Sequence, residues 1–353
     1  MKNMTSKDFC LKIPGKKYNF VAVSSAGWLN QTNALLPQLL NAKKLVVPTD
    51  DKVAKRCSGF VQWGIQESQS KAKLRSYAND LNRPLAFIED GFIRSFDLGL
   101  SKEPGRSIIL DDLTFYYDAT KPSRLETILN GPQEISFINR LKAKYAMRLI
   151  REERISKYNN TTDKLPQGLA EKGNRHRILV IDQRSGDASI AGALASEENF
   201  RTMLQAAFAR PNAEVVVKIH PDALVPGKAS AISQALMNYA NESRLKIVEE
   251  SVNPYSLFSV IDEVFVVASG MGFEALLAEK PVTCFGVPYY AGWGLTTDMV
   301  SVPRRSRMRK IEDVFYVAWI MLSRYVDPKT KRLISVRKAA KIMASERRSK
   351  GIS

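Results

Sequence analysis

The sequence predicts an α/β protein of two Rossmann-like domains facing a cleft, and three observations carry that prediction. Short apolar strands alternate with helical stretches, which indicates βαβ units and parallel sheets. A length of 353 residues exceeds one typical domain and suits two of similar size. In the second half, three strands each run without a break into a loop of small, polar and charged residues, and open α/β sheets hold ligands beyond the carboxyl ends of such strands. The expected division is an N-terminal α/β domain over 1–160, a C-terminal α/β domain over 161–328 and a basic tail over 329–353.

In chain order, Phe20-Val21-Ala22-Val23 reads as the first strand. The loop Ser24 to Trp28 after it has too thin a glycine pattern for a dinucleotide fingerprint. Leu45 to Val47 and Phe60 to Trp63 follow as strands, and Gln66 to Asn82 as a polar helix. Pro84 to Ile88 is the best strand of the first half and delivers Glu89-Asp90-Gly91-Phe92-Ile93-Arg94-Ser95 to its end. Ser107 to Leu110 and Phe115 to Asp118 read as strands near the domain edge, with Asp111-Asp112 a turn that holds no metal. Pro132 to Lys157 is helical and charged, and Tyr158 to Arg177 is a polar linker.

The second domain then holds Ile178 to Ile181, Glu214 to Ile219, Glu263 to Val267 and Val282 to Phe285 as strands. From about Ile311 the chain turns helical, with Val314, Val317, Ala318 and Met321 on one face. Leu333, Val336, Ala340 and Met343 mark one side of a basic terminal helix, which fits either an interfacial membrane contact or a solvated end.

The net charge of +17 implies an anionic partner: nucleic acid, an acidic membrane surface or a phosphate-bearing substrate. Much of that excess lies after Asp327 and does not line interleaved aromatics, which argues against a nucleic-acid groove. No apolar run approaches the roughly 20 residues of a membrane span, and the polar start lacks a secretory signal, so a cytoplasmic location is expected. Cys10, Cys57 and Cys284 have neither disulfide nor metal spacing, and reduced thiols are expected.

Asp187 in Gln183-Arg184-Ser185-Gly186-Asp187-Ala188-Ser189 is presented just past a buried strand. Asp, Ser and Gly at such a place also make ordinary turns and caps, and the other two loops decide between these readings. Lys218-Ile219-His220-Pro221 ends a second strand, with an imidazole beside a lysine where a phosphate would depart. Ser269-Gly270-Met271-Gly272-Phe273-Glu274 ends a third, its backbone amides opening a helix as an anion site. Charged strand ends on both sides of a cleft suit an enzyme that binds a nucleotide-activated donor on one domain and an acceptor on the other, the architecture of a two-domain glycosyltransferase.

The blocks Glu89 to Ser95, Tyr116 to Ser123, Ser156 to Asn159, Gln183 to Ser189, Lys218 to Asp222, Gly272 to Val282, Tyr290 to Thr296, Pro303 to Arg305 and Arg324 to Pro328 resemble, in order and spacing, the bacterial capsule polysaccharide β-Kdo transferases. That resemblance implies a retaining transferase of 3-deoxy-D-manno-oct-2-ulosonic acid (Kdo) from CMP-β-Kdo with a two-domain, GT-B-like fold, and one module where family members often carry two. It implies Asp187 as nucleophile, Glu89 as the base for the acceptor hydroxyl and His220 as stabiliser of the departing CMP phosphate. Gln183, Arg184, Lys218, Pro221, Ser269, Gly270, Gly272, Phe273 and Glu274 then bind the donor. Asp90, Arg94, Ser189, Tyr290 and Trp293 line the cleft, with Arg94 and Arg184 candidate partners of the Kdo carboxylate.

Neither metal nor cofactor is expected. The expected partners are CMP-Kdo, a saccharide or glycolipid acceptor such as a Kdo-terminated one, and the inner-membrane surface through the tail; nucleic acid is not among them. The alternatives are a transferase or epimerase acting on another nucleotide sugar, and a non-catalytic basic module that binds a membrane or nucleic acid.

Overall fold

A computed structural model describes residues 18–30, 33–98, 101–171, 173–225 and 227–352. The polar amino-terminal stretch and Cys10 lie outside the described residues. The chain forms two sheets. The second half builds a six-stranded, wholly parallel sheet in the order β11-β10-β9-β6-β7-β8. Its strands are β6 (Arg177–Ile181), β7 (Glu214–Lys218), β8 (Leu245–Val248), β9 (Glu263–Val266), β10 (Val282–Cys284) and β11 (Thr297–Asp298). Strands β6 and β7 are buried along their whole length, as their unbroken apolar runs require of strands covered on both faces. Because β9, β6 and β7 are neighbours and parallel, the three loops expected to converge do leave the same edge of the sheet.

The first sheet has seven strands in the order β13-β12-β5-β4-β3-β1-β2. β1 (Tyr18–Val23), β2 (Ala42–Val46), β3 (Gly59–Trp63) and β4 (Leu85–Asp90) are parallel. β5 (Ser107–Asp111), β12 (Ser323–Val326) and β13 (Leu333–Ile334) add antiparallel strands at one side. β12 falls within residues 161–328, yet it pairs with β5 of the first sheet. The chain thus crosses back before it ends, and the first α/β unit is closed by residues from the far end of the sequence.

Two further expectations are corrected. Phe115 to Asp118 is a turn and not a strand, because the Asp118 carboxylate accepts from the Thr114 hydroxyl at 2.6 Å and the Thr120 amide at 3.0 Å and closes the chain on itself. The apolar side of the terminal helix Val336–Ser349 does not face a membrane: Val336, Ala340, Met343 and Ala344 are buried, and the helix packs on Phe137–Glu152. Its Arg347 is also buried and donates to the carbonyls of Asn159 and Thr161 and to Asp163, pinning the linker between the halves. Arg106 pairs with Glu346 from the first half.

One apolar core joins the halves, running from Phe92, Leu125 and Ala146 to Phe273, Tyr289 and Trp319. Phe92 stacks on Trp319 at 4.4 Å between centroids. Glu126, 1% exposed, takes Arg304 and Arg305 from the other half, an ion cluster sealed by the Arg305 bonds to the carbonyls of Pro288 and Ala291. A shared core of this kind fixes how the two rows of strand ends face each other.

Candidate active site

Three loops of the second sheet are stitched to one another by side chains at their bases. Asp182, buried at the end of β6, accepts the backbone N–H of His220 at 3.1 Å and of Ile232 at 3.2 Å, and burial raises its pKa. Gln183 is also buried; its Oε1 accepts from the Ala268 amide at 2.8 Å, and its Nε2 donates to Ser189 Oγ at 3.1 Å. The Ser189 hydroxyl and amide both donate to Asp187 Oδ1 at 2.8 Å. Asp187 caps the short helix Ala188–Gly192 through that same oxygen. Gln183 and Ser189 therefore position the carboxylate.

His220 caps the turn Pro221–Leu224 by accepting the Asp222 N–H on Nδ1 at 3.1 Å. That bond assigns the ring proton to Nε2, and burial holds the pKa below the ordinary histidine value against the pull of Asp222, Asp182 and Asp187. The ring is a neutral Nε2–H donor. Lys218 is less directly placed than expected: it is buried, its Nζ donates to the Ile219 carbonyl at 2.7 Å, and burial lowers its pKa to about 8.

Glu89 and Asp90 end β4. Gly91 follows because a Cβ there would stand 2.4 Å from Ser107 Oγ. Glu89 receives the Trp63 indole N–H at 2.7 Å and the Tyr117 hydroxyl at 3.2 Å. Burial, then the neighbouring Asp90, raise its pKa to about 7, against the lowering effect of those bonds and of Lys157. A carboxylate so tuned exchanges protons near neutral pH, the property of a general base. Arg94 is not open to a ligand: buried, it donates to Asp90 at 2.9 Å and to Ser95 at 3.0 Å.

The two sets meet through Tyr116 and Tyr117. The Ala119 amide donates to the Gly192 carbonyl at 2.6 Å, and a Cβ on Gly192 would sit 3.0 Å from the Tyr117 ring. Tyr117 thus touches Glu89 with its hydroxyl and the helix that Asp187 caps with its ring. A cavity of about 510 Å³ opens between the halves at this seam, lined by Asp118 and Thr120 on one side and by Gly186 to Ala188 and Ile190 to Gly192 on the other.

Lys157 is the site residue that sequence reasoning passed over. Burial works against its ammonium, but Tyr158, Asp90, Tyr116 and Glu89 together hold its pKa above the ordinary lysine value, and its own field reaches His220. The segment is held in place by Glu274, a buried carboxyl with its pKa raised to about 7 by burial; it accepts from Ser156 Oγ at 2.7 Å and from the Lys157 amide. The signal was the block Ser156 to Asn159, which carried the family resemblance without a role attached to any residue.

Several expected ligand contacts prove to be packing. Phe273, Tyr290 and Trp293 are fully enclosed in the shared core and do not reach the cleft, since the aromatic faces at this junction are covered by Tyr289, Phe315, Trp319 and Arg305. Glu274 braces Lys157 instead of facing a ligand. Gly272 has no room for a side chain because the Tyr290 hydroxyl, bonded to the Ser269 carbonyl at 2.6 Å, would be 2.0 Å from its Cβ. Ser269 and Gly270 stay accessible at the start of the helix Met271–Leu277. Arg184 and Pro221 flank the same edge. Among the described residues, no group of three or more His, Cys, Asp or Glu side chains is placed to hold a metal, and no helix is long and apolar enough to cross a membrane.

Residues 59–326 match the family model described as "Capsule polysaccharide biosynthesis protein". Over 290 residues the chain is 36% identical to the capsule polysaccharide modification protein LipA of Neisseria meningitidis, covering 79% of this chain and 40% of LipA. The chain therefore spans well under half the length of that relative. Among solved structures it is similar to the β-Kdo 2,4 transferase of Thermosulfurimonas dismutans KpsC (TM-score 0.82, 34% identity, 94% of this chain and 99% of that one). It is also similar to the β-Kdo 2,7 transferase of the same KpsC (TM-score 0.66, 27% identity, 93% and 99%). The two-domain α/β fold expected from the strand pattern, GT-B-like as the resemblance implied, is the one observed.

Proposed function

Because the chain belongs to the capsule polysaccharide biosynthesis protein family, we propose that it is a retaining glycosyltransferase that moves Kdo from CMP-β-Kdo to a saccharide acceptor in β linkage. The observation that carries this reading is the pairing of carboxylates across the seam. Glu89, with a pKa of about 7, and Asp187, at the head of a helix, are presented from opposite halves to one Tyr116–Tyr117 wall. The likeness to two β-Kdo transferase structures over nearly the whole chain supports the donor.

In this proposal the Asp187 carboxylate attacks the anomeric carbon on the face opposite CMP. The C–O bond to phosphate breaks and CMP leaves with the electron pair. The His220 Nε2–H, the Lys157 ammonium and the Ser269–Gly270 amides meet the charge that grows on that phosphate, so no metal is required. The acceptor hydroxyl then passes its proton to Glu89 and attacks the same carbon, which displaces Asp187. Two inversions restore the β configuration. A glycolipid acceptor would bring the enzyme to the inner-membrane surface, and we assign that contact to Arg337, Lys338 and Lys341 on the exposed side of the terminal helix.

Intact-protein mass spectrometry after mixing with CMP-Kdo tests the reading. Wild type and Glu89→Gln are expected to gain a Kdo-sized adduct that maps to Asp187, longer-lived in Glu89→Gln, and Asp187→Ala is expected to gain none while still binding CMP. Transfer by Asp187→Ala at the wild-type rate would remove Asp187 from the mechanism.

A further inference from the structure

We propose that the helix Phe137–Glu152 is a membrane-docking face, which sets the side chains of Phe137, Ile138 and Tyr145 into the surface of an anionic bilayer. The proposal rests on the surface contact assigned above to Arg337, Lys338 and Lys341, and adds the apolar half that charge alone does not supply. Three observations carry it.

Phe137, Ile138 and Tyr145 are 73%, 65% and 58% exposed, and Phe137 and Tyr145 are the only exposed aromatic side chains among those described. Ile138 and Tyr145 stand two helical turns apart, with Phe137 and the half-buried Leu141 beside them, so the four form one stripe. The opposite side of the same helix, with Ala143, Ala146 and Ile150, is buried in the shared core. The helix therefore has two apolar sides, and internal packing accounts for only one of them.

The stripe is bordered by cations. Lys142, Lys144 and Arg148 flank it on its own helix, Arg337, Lys338 and Lys341 extend the border on the adjacent terminal helix, and all six are exposed. Arg148 is paired with Glu152, but among the described residues no carboxylate lies within salt-bridge distance of Lys142, Lys144, Arg337 or Lys341. A second copy of this face would meet it with like charge, whereas an anionic bilayer offers both an apolar interior and the opposite charge. The Lys and Arg stems reach headgroups while the rings and the isoleucine enter below them.

The two helices present one continuous surface. The Arg337 guanidinium lies 5.9 Å from the centre of the Tyr145 ring, and the pair Arg348–Glu153 joins the helices again at their far ends. Arg140 pairs with the buried Asp313 and fixes the end that carries Phe137 and Ile138. The chain then runs from this helix through Ile155 and Ser156 to Lys157, so a contact made here is rigidly connected to the active site.

Flotation of the full chain with vesicles tests the face, using equal parts phosphatidylcholine and phosphatidylglycerol against phosphatidylcholine alone. Wild type should float with the mixed vesicles and stay behind with the neutral ones. Phe137→Ser combined with Ile138→Ser should lower the partition coefficient by about tenfold or more and leave the melting temperature unchanged, because both side chains are exposed. Phe137→Trp combined with Ile138→Leu should float like wild type. Wild-type flotation by the double serine variant would overturn the inserted stripe; if Lys338→Glu with Lys341→Glu then abolished flotation, the earlier contact would stand alone. Equal capture by phosphatidylcholine vesicles would overturn the proposal. So would a concentration-dependent dimer that the double serine variant cannot form, which would give the face to a second copy. Vesicle binding by a chain that never transfers Kdo would sink the transferase reading and leave the face standing.

Discussion

Glu89→Gln, followed across pH, separates the cost of building this site from its use. The side chain is partly buried, and its pKa rises from the ordinary 4.5 to about 7, chiefly through loss of water. A carboxyl with a raised native pKa binds its proton more tightly folded than unfolded, so stability is lost as pH climbs from about 4.5 to about 7 and stays lost above it. At about 1.36 kcal/mol per pH unit, that interval amounts to roughly 3 kcal/mol, and partial solvent contact trims it to about 2–3 kcal/mol.

Glutamine keeps an oxygen for the Trp63 indole and carries no charge at any pH. The variant should therefore match wild type at pH 4.5 and exceed it at pH 8 by about 2–3 kcal/mol, roughly 3–4 °C in a melting scan of a chain of this length. Glu274, whose pKa is also about 7, is unchanged in both proteins and cancels in the difference. The same substitution should abolish sustained transfer. A stability difference that does not vary between pH 4.5 and 8 would refute the claim that Glu89 is held as a strained carboxylate.

Gly272→Ala places a methyl 2.0 Å from the Tyr290 hydroxyl and should cost about 1–3 kcal/mol as overpacking, read as a lower urea midpoint. Wild-type stability would show that Tyr290 moves freely, against its bond to the Ser269 carbonyl. Arg347→Met removes the donors that hold the carbonyls of Asn159 and Thr161 and takes one of its two arginine partners from Asp163. About 3–5 kcal/mol is expected, with faster proteolysis between residues 157 and 165 than elsewhere, because that segment carries Lys157 into the site. Uniform proteolysis would argue that the terminal helix does not brace the linker.

What the sequence determined by itself is local. Unbroken apolar runs such as Ile178 to Ile181 and Val215 to Val217 are legible as doubly covered strands because burial of both faces leaves no polar position. The loop that ends each run follows at once, so Asp187, His220, Ser269 and Glu89 were found from their position after a strand. Shared edges and parallel pairing then follow from βαβ chain direction.

Tertiary structure decided which side of those loops is open. Phe273, Tyr290 and Trp293 sit among the family's ordered blocks as Asp187 and His220 do, but a shared core between the halves encloses them, and no local pattern reveals a partner some 200 residues away such as Phe92. The same distance hid β12, a short strand whose partner β5 lies far upstream, and made the terminal helix resemble a membrane face when its apolar stripe was already covered by Phe137–Glu152. Lys157 was invisible for a related reason. Its place in the site is made by Arg94 and Ser95 from one distant segment and Glu274 from another, each bonded to its backbone or to the residue before it. Amphipathic periodicity says that a face is buried; only the packed chain says what buries it.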